Sequence, residues 1–243
     1  MEKKRNGLRL VQSRQSSEHC AARRFCLAGS VDKASLQALE AEIKSRGPYQ
    51  QGERIYRQGD SFRVIFMIQS GTVKTEINTR DGRAQVSGFH LQGELLGVET
   101  IGGGRHPCDA VALERTWCCA VPVERFLKVC NACGELQKEL LLRLGQRIRD
   151  DEYGWMLNRN ERAEVRLVSF LYDLYQRMNL RHGESSGRMR LPMHKEDIAN
   201  YLGLAPESLS RTFRRLQNEG VVINHGRTVE LLDIEAAAAI ASR

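Results

Sequence analysis

Between Leu191 and Leu216 the chain reads LPMHKEDIANYLGLAPESLSRTFRRL, and no other stretch narrows its fold as much. Ile198, Leu202, Leu209, Phe213 and Leu216 recur at helical spacing and predict the inner stripe of two short helices. Gly203 stands where the first helix must stop and the chain must turn sharply. Pro206 falls at the first position of the second helix, where its missing N–H costs nothing, and Glu207 follows in the first turn. That helix then turns Glu207, Ser208, Ser210, Arg211, Arg214 and Arg215 outward. Carboxylates, hydroxyls and guanidinium groups are what base edges and phosphates pair with, so the pattern predicts a helix-turn-helix that reads DNA. The plain alternative is a helical hairpin with a solvated charged face.

After Gly220 the chain continues VVINHGRTVELL. Two β-rich runs, Val221 to Ile223 and Thr228 to Leu231, flank the turn-like Asn224-His225-Gly226-Arg227, which predicts a small hairpin, the wing of a winged helix. Arg227 at its tip is placed to meet a phosphate or plain solvent, and the same choice holds for His194. The formal net charge of +7 favours an acidic partner such as nucleic acid. That charge is not heaped at the C-terminal end: residues 160–243 hold 12 Lys or Arg against 11 Asp or Glu, so the useful charge there is local.

A chain of 243 residues suffices for two modest domains. Met1 to Arg5 is basic but no apolar run follows, and no stretch approaches the roughly 20 apolar residues of a membrane span. The expectation is a cytoplasmic protein with no membrane partner. Its seven cysteines are then candidates for metal or redox chemistry rather than structural disulfides. An enzyme is not expected: there is no Gly-rich phosphate loop, no paired nucleophile and base and no metal-hydrolase spacing, and the six histidines are scattered.

Residues 32–46 predict a short amphipathic helix through Leu36, Leu39 and Ile43. From about 47 to 123, β-prone runs such as VIFMIQ, TVKTEIN, AQVSGFHL and CDAVALERTWCCAV are punctuated by glycines, with Asp81-Gly82 as a hairpin turn. A short helix is expected from Pro122 to Cys130, then a long one from about Gly134 to Arg159. On the latter, Leu141, Leu144, Ile148, Asp151 and Trp155 form a seam that predicts a homodimer contact. Asp151 interrupts the apolar pattern; across a two-fold axis it meets its own copy or, alternatively, lies solvated at the edge. Another amphipathic helix over 160–181 uses Val165, Val168, Leu171 and Leu174, a polar loop follows to Gly187, and Ala236–Ala239 favours helix. The fold class is therefore α+β, divided as 1–30 (a cysteine-bearing segment), 31–130 (a jelly-roll-like β-roll), 131–160 (a dimerisation helix) and 161–243 (a winged helix-turn-helix).

This order of parts resembles the FNR branch of the CRP/FNR superfamily of bacterial transcription regulators, over nearly the whole chain. The most specific pieces are SGFHLQGELLG (Ser87 to Gly97), GGGRHP (Gly102 to Pro107), RIRDDE in the long helix and NYLGLAPESLSRTFRRLQ (Asn200 to Gln217). The resemblance implies that the E-x-x-S-R set Glu207, Ser210 and Arg211 reads half-sites of a palindrome resembling TTGAT-N4-ATCAA, while Arg214 and Arg215 hold phosphates. It also implies that Ile148 and Asp151 lie at the dimer interface and that RNA polymerase is a partner. The hairpin tip Thr79-Arg80-Asp81-Gly82-Arg83 is a candidate polymerase contact or a solvated turn.

For the signal, the resemblance implies an oxygen-labile iron–sulfur (4Fe-4S) cluster, with Cys20, Cys26 and Cys119 at ligand positions. Ser17 stands where the first N-terminal cysteine belongs, so the fourth ligand is open among Glu18, His19, Cys118 and others. The alternatives are a clusterless thiol switch, a different small-molecule effector, or cysteines that only pack. Cys118 and Cys119 are adjacent on a strand and point to opposite faces. Cys108, Cys130 and Cys133 read as structural, with Cys130-x-x-Cys133 a formal redox spacing lacking thioredoxin-like surroundings. Cyclic AMP is not expected. GELLG keeps Glu94, but Arg105-His106-Pro107-Cys108-Asp109-Ala110 replaces the phosphate-binding element, Pro107 removing a donor and Asp109 adding a negative charge. His106 reads as a packing residue.

Overall fold

A computed structural model describes residues 22, 26–30, 37, 40–79, 81–182 and 186–241. The described residues fall into two compact units, one drawn from within 1–78 and 89–140, the other from within 79–88 and 141–243.

The first unit holds most of the β-roll. Its strands are β1 (Lys44–Tyr49), β2 (Arg54–Tyr56), β3 (Val64–Ser70), β4 (Val73–Asn78), β5 (Ala84–His90), β6 (Leu95–Leu96), β7 (Asp109–Ala112) and β8 (Thr116–Pro122). They form two four-stranded sheets, ordered β1-β8-β3-β6 and β2-β7-β4-β5. Alternation sorts the side chains. Phe66 and Ile68 of β3, Cys118 and Ala120 of β8 and Ala110 and Ala112 of β7 meet in one core with Tyr49, Tyr56, Val73, Leu96 and Cys108. The turn between β4 and β5 falls at Asp81-Gly82 as the sequence predicts; Thr79 N–H donates to the Arg83 carbonyl at 2.8 Å, and Gly82 has φ 81°.

The helix expected over 32–46 is cut short. Gln37 and Glu40–Glu42 are helical, but Lys44, Ser45 and Arg46 are extended and pair with Ala120, Cys119 and Cys118. The free edge of β8 supplies hydrogen bonds there, which a local propensity argument does not count. Leu36 and Leu39 lie outside the described residues.

Two helices follow β8: α1 (Val123–Ala132) and α2 (Gly134–Asn160). Leu141, Ile148 and Trp155 are more than half exposed on α2, Leu144 is half-buried, and Asp151 is exposed. The predicted seam is thus an uncovered apolar stripe in the single chain. Asp151 is not a bare charge, since Arg147 one turn before it holds both carboxylate oxygens at 2.9 and 3.0 Å.

The second unit contains α3 (Ala163–His182), β9 (Arg188–Arg190), α4 (Lys195–Tyr201), α5 (Pro206–Asn218), β10 (Val222–His225), β11 (Thr228–Leu231) and α6 (Ile234–Ala241). Ile198, Leu202, Leu209, Phe213 and Leu216 are all buried, as are Val168, Leu171 and Leu174 of α3. The wing has three strands, ordered β10-β11-β9. β9 was not expected. Gly187 (φ 73°) admits it: a Cβ there would stand 2.3 Å from the Leu231 carbonyl oxygen, so only glycine lets the strand close on β11. β10 runs on through His225, which pairs with Thr228, so the wing turn is tighter than the predicted four residues. The Asp233 carboxylate accepts from Ala236 N–H at 2.8 Å and caps α6.

Candidate nucleic-acid interface and cysteine face

The geometry of the helix pair starts at Gly203. It takes φ 64° immediately after α4, and its N–H donates to the Asn200 carbonyl at 3.2 Å while Leu204 N–H reaches back to Ala199 at 2.8 Å. These paired bonds satisfy the last carbonyls of α4 and aim the chain into α5. Arg166 adds a further clamp, donating to the Leu202 carbonyl at 2.8 Å. Pro206 then opens α5 at its first helical position. Leu209, Thr212, Phe213 and Leu216 anchor the inner face, and Lys195 lies over the Phe213 ring at 5.3 Å. α5 ends as α4 does, with Gly220 at φ 70° and Val221 N–H bonding back to Leu216 at 2.9 Å.

The opposite face carries the predicted readers. Glu207, Ser210, Arg211 and Arg214 are exposed, at spacings of three and four residues that stack them along one side of α5. Their local bonds leave most of their hydrogen-bonding capacity outward. The Ser210 hydroxyl rests on the Pro206 carbonyl at 3.0 Å, and Arg211 donates one N–H to the half-buried Ser208 hydroxyl at 3.2 Å.

Arg215 differs from the expectation. Its guanidinium pairs with Glu164 at 2.8 Å and Glu219 at 2.9 Å. The hydrogen bond it donates to Glu219, then the charge of Glu164, raise its pKa above the ordinary arginine value. Arg215 is thus a strut between α5 and α3, whereas helical spacing alone grouped it with Arg214. Conversely, Arg227 and His194, each read singly as a phosphate or solvent residue, stand together. An Arg227 guanidinium nitrogen lies 3.2 Å from His194 Nε2, at the start of the helix pair. Sequence reasoning missed the pairing because the β9–β11 register that brings the wing tip to residues 191–194 is non-local.

On the β-roll a second group forms around sulfur. Cys26 is buried against Met67, with Leu95 and Cys119 packed on the same cluster. β3 and β8 explain this, for Met67 and Cys119 are register partners. Cys118, next in sequence, sits on the opposite face inside the core, fully buried, and burial pushes its thiol pKa well up. It is therefore not available as a fourth ligand beside Cys119. Cys20, Ser17, Glu18 and His19 lie outside the described residues. Among the described residues no group of three or more metal-ligating side chains is assembled.

A third group surrounds the segment from Arg105 to Ala110. The His106 ring stacks on Tyr56 at 3.8 Å with its edge partner Phe62 at 5.5 Å, which makes it the packing residue expected. Tyr56 donates to Glu99 at 3.2 Å, and Cys108 lies 3.7 Å from the same carboxylate. Burial, then the Glu99 charge, pushes the Cys108 thiol up to about 12. Asp109, read from the sequence as an added negative charge in that element, points away from this group. It alternates with Ala110 to the outer side, where it binds Arg54 at 2.7 Å and Gln58 N–H at 2.6 Å. Burial opposes its ionised form, but those two donors outweigh it and hold the carboxyl below the usual range.

Residues 46–133 match the family described as cyclic nucleotide-binding domain, and residues 165–239 match the Crp-like helix-turn-helix domain. Transcriptional activator protein FnrA of Stutzerimonas stutzeri is 35% identical over 95% of this chain and 94% of its own length. The fumarate and nitrate reduction regulatory protein of Escherichia coli K12 is 32% identical over 96% of this chain and 94% of its own. Among solved structures, FixK2 from Bradyrhizobium japonicum superposes with a TM-score of 0.72 at 25% identity, covering 82% of this chain and 96% of that one.

Proposed function

This chain belongs to the CRP/FNR superfamily of bacterial transcription regulators, and from that premise we propose that it reads palindromic DNA as a homodimer and answers oxygen or redox state through its cysteines. The observation that carries the reading half is the single exposed row Glu207, Ser210, Arg211 and Arg214 on a helix whose other face is buried. Arg211 is suited to the O6 and N7 acceptors of guanine, and Glu207 to a cytosine amino group. A two-fold dimer matches a palindrome such as TTGAT-N4-ATCAA, with half-sites about one helical turn apart. Arg214 and the Arg227–His194 pair are assigned to phosphates, and RNA polymerase to the exposed tip around Asp81 and Gly82. The relatives are transcription regulators, so no enzymatic reaction is assigned. No helix among the described residues is long and apolar enough to cross a membrane.

Dimerisation is assigned to the exposed stripe Leu141, Leu144, Ile148 and Trp155. Asp151 on that stripe weakens it by like-charge repulsion, which its own Arg147 offsets in part. Weak dimerisation of this kind is what a signal can tip. Replacing Asp151 with Ala yields a constitutive dimer in sedimentation; an unchanged monomer–dimer balance contradicts the assignment.

For the sensing half, the clustering of Cys26 and Cys119 around Met67 supports a sulfur-ligated group on that face. Soft thiolates of this kind suit iron. Cys20 is the third thiolate in this reading. When bound, an iron–sulfur cluster supplies oxygen-sensitive redox chemistry. The protein's own part is to hold the Cys119 sulfur on β8 beside Cys26, which directly precedes the short 3-10 turn Leu27–Ser30, with Cys118 turned away. Cyclic AMP is not the assigned effector, because Arg105-His106-Pro107-Cys108-Asp109-Ala110 stands in place of the phosphate-binding element and Pro107 removes a backbone donor from it. The test is an anaerobic preparation assayed for iron, sulfide, visible absorbance and binding to the palindrome, before and after air. Stoichiometric iron and sulfide with a band that bleaches as DNA binding falls is the expected result. A colourless, iron-free protein whose DNA binding ignores air removes the cluster and leaves the thiol or effector reading.

A further inference from the structure

The spacing Cys130-x-x-Cys133 lies at the junction of α1 and α2, apart from the cysteine face assigned above. Cys130 is in the last turn of α1, and Cys133 is the hinge residue. Cys133 N–H closes α1 by donating to Val129 at 3.0 Å and Cys130 at 3.3 Å. Its carbonyl begins α2 by accepting from Gln137 N–H at 3.1 Å. Its sulfur occupies the capping position, accepting from Leu136 N–H at 3.4 Å. A single cysteine therefore terminates one helix and starts the helix that bears the dimer stripe.

The N–H-to-carbonyl bond between residues 133 and 130 is that of a four-residue turn, which places their Cα atoms within about 7 Å, inside the range a disulfide spans. Burial first, then the neighbouring Cys133, pushes the Cys130 thiol up to about 11, which suits Cys130 to the second step rather than the first. Cys133 is the more exposed, at 7% against 3%. We propose that Cys130 and Cys133 are a second, cluster-independent thiol switch: their disulfide draws the Cys133 sulfur off the N-terminus of α2 and uncaps the dimer helix.

The co-reactant is a low-molecular-weight disulfide. The Cys133 sulfur, having released its proton to water, attacks one sulfur of that disulfide and expels the first small thiolate. The Cys130 sulfur, deprotonated in turn, attacks Cys133 and expels the second. One S–S bond breaks and one forms, two protein thiols are oxidised, the small disulfide is reduced to two thiols, and the two protons pass to them. In this proposal, turning the Cys133 sulfur toward Cys130 turns it away from the Leu136 N–H it now accepts from, so oxidation and capping compete.

The full-length reduced protein is incubated with glutathione disulfide, alkylated, digested with trypsin and followed by hydrogen exchange. The expected result is that the peptide from Val129 to Lys138 escapes alkylation and is lighter by the two hydrogens lost. Amide exchange in the first turn of α2 then quickens by about fivefold, the equivalent of one lost cap. Cys133→Ser, which keeps a capping oxygen, shows slow exchange with or without the reagent. Cys119→Ser still switches, which separates this site from the cysteine face. Recovery of the peptide alkylated at both cysteines, or carrying glutathione without the internal bond, overturns the proposal. So does a disulfide that leaves the exchange of α2 unchanged.

Discussion

The face assigned to DNA and the face assigned to sensing are built in opposite ways. Glu207, Ser210, Arg211 and Arg214 come from two turns of one helix, so their arrangement is fixed once α5 is helical and its inner stripe is buried. Cys26 and Cys119 come from segments ninety-three residues apart and meet only because β3 and β8 pair Met67 with Cys119. The first site tolerates change elsewhere in the chain; the second depends on sheet register, and a shift of one residue would present Cys118 in place of Cys119. Local construction suits a reader that must keep its geometry, and non-local construction suits a sensor whose geometry must respond.

The contrast can be broken most forcibly from inside the reader. Phe213→Ala removes a buried ring from the inner face of α5 and is expected to cost about 3–5 kcal/mol. Denaturant unfolding should show that loss in the second unit, with DNA binding abolished and thiol chemistry at Cys119 retained. Next in size are the paired changes Cys118→Ser and Cys119→Ser. The first places a hydroxyl in an apolar core and should destabilise the first unit by about 1–3 kcal/mol without removing a ligand. The second should leave stability within about 0.5 kcal/mol, since Cys119 is only half-buried, but abolish iron retention. Equal effects from both would mean that strand alternation does not separate packing from sensing.

Arg211→Ala is expected to cost about 1–3 kcal/mol per half-site and to relax the preference for guanine, read by titration of base-substituted duplexes. The comparison of Arg214→Ala with Arg215→Ala is subtler. Loss of Arg214 should weaken binding to every sequence alike and lower the salt slope by about one per half-site. Loss of Arg215 should leave the salt slope alone and change stability little, because its charge is already engaged in solvent-screened pairs with Glu164 and Glu219. The smallest effect concerns acid. Asp109 is held below the ordinary carboxylate range, so it adds stability above its unfolded pKa, and that stability is lost as pH falls through the folded value. Asp109→Asn should flatten the acid limb of an unfolding–pH profile for the first unit.

The same division governs what could be read from the chain. Helical periodicity, Gly203 and Pro206 located α4 and α5, and every residue of the proposed inner stripe proved buried. The long helix and its apolar stripe followed from spacing in the same way. Misreadings arose where a partner distant in sequence decides. Lys44 to Arg46 joined β8 instead of a helix, and β9 appeared because Gly187 lets it approach β11. Asp109 turned outward to Arg54, and Arg215 found Glu164, fifty-one residues away. The opposite orientations of Cys118 and Cys119 were legible from alternation, but not which of the two faced Cys26. The capping role of Cys133 required the junction itself, because a sulfur at the first turn of α2 has no periodic signature.

The reading face on α5 is tested most directly by binding the wild-type protein and Glu207→Ala, at several salt concentrations, to a set of palindromes in which each base pair of the half-site is changed in turn. The account predicts that the wild type prefers one sequence, that Glu207→Ala loses discrimination at a single base pair in each half-site, and that the salt slope is the same for both. A uniform fall in affinity across all sequences, or a salt slope that changes with Glu207, would contradict it and reduce the exposed row on α5 to a solvated charged surface.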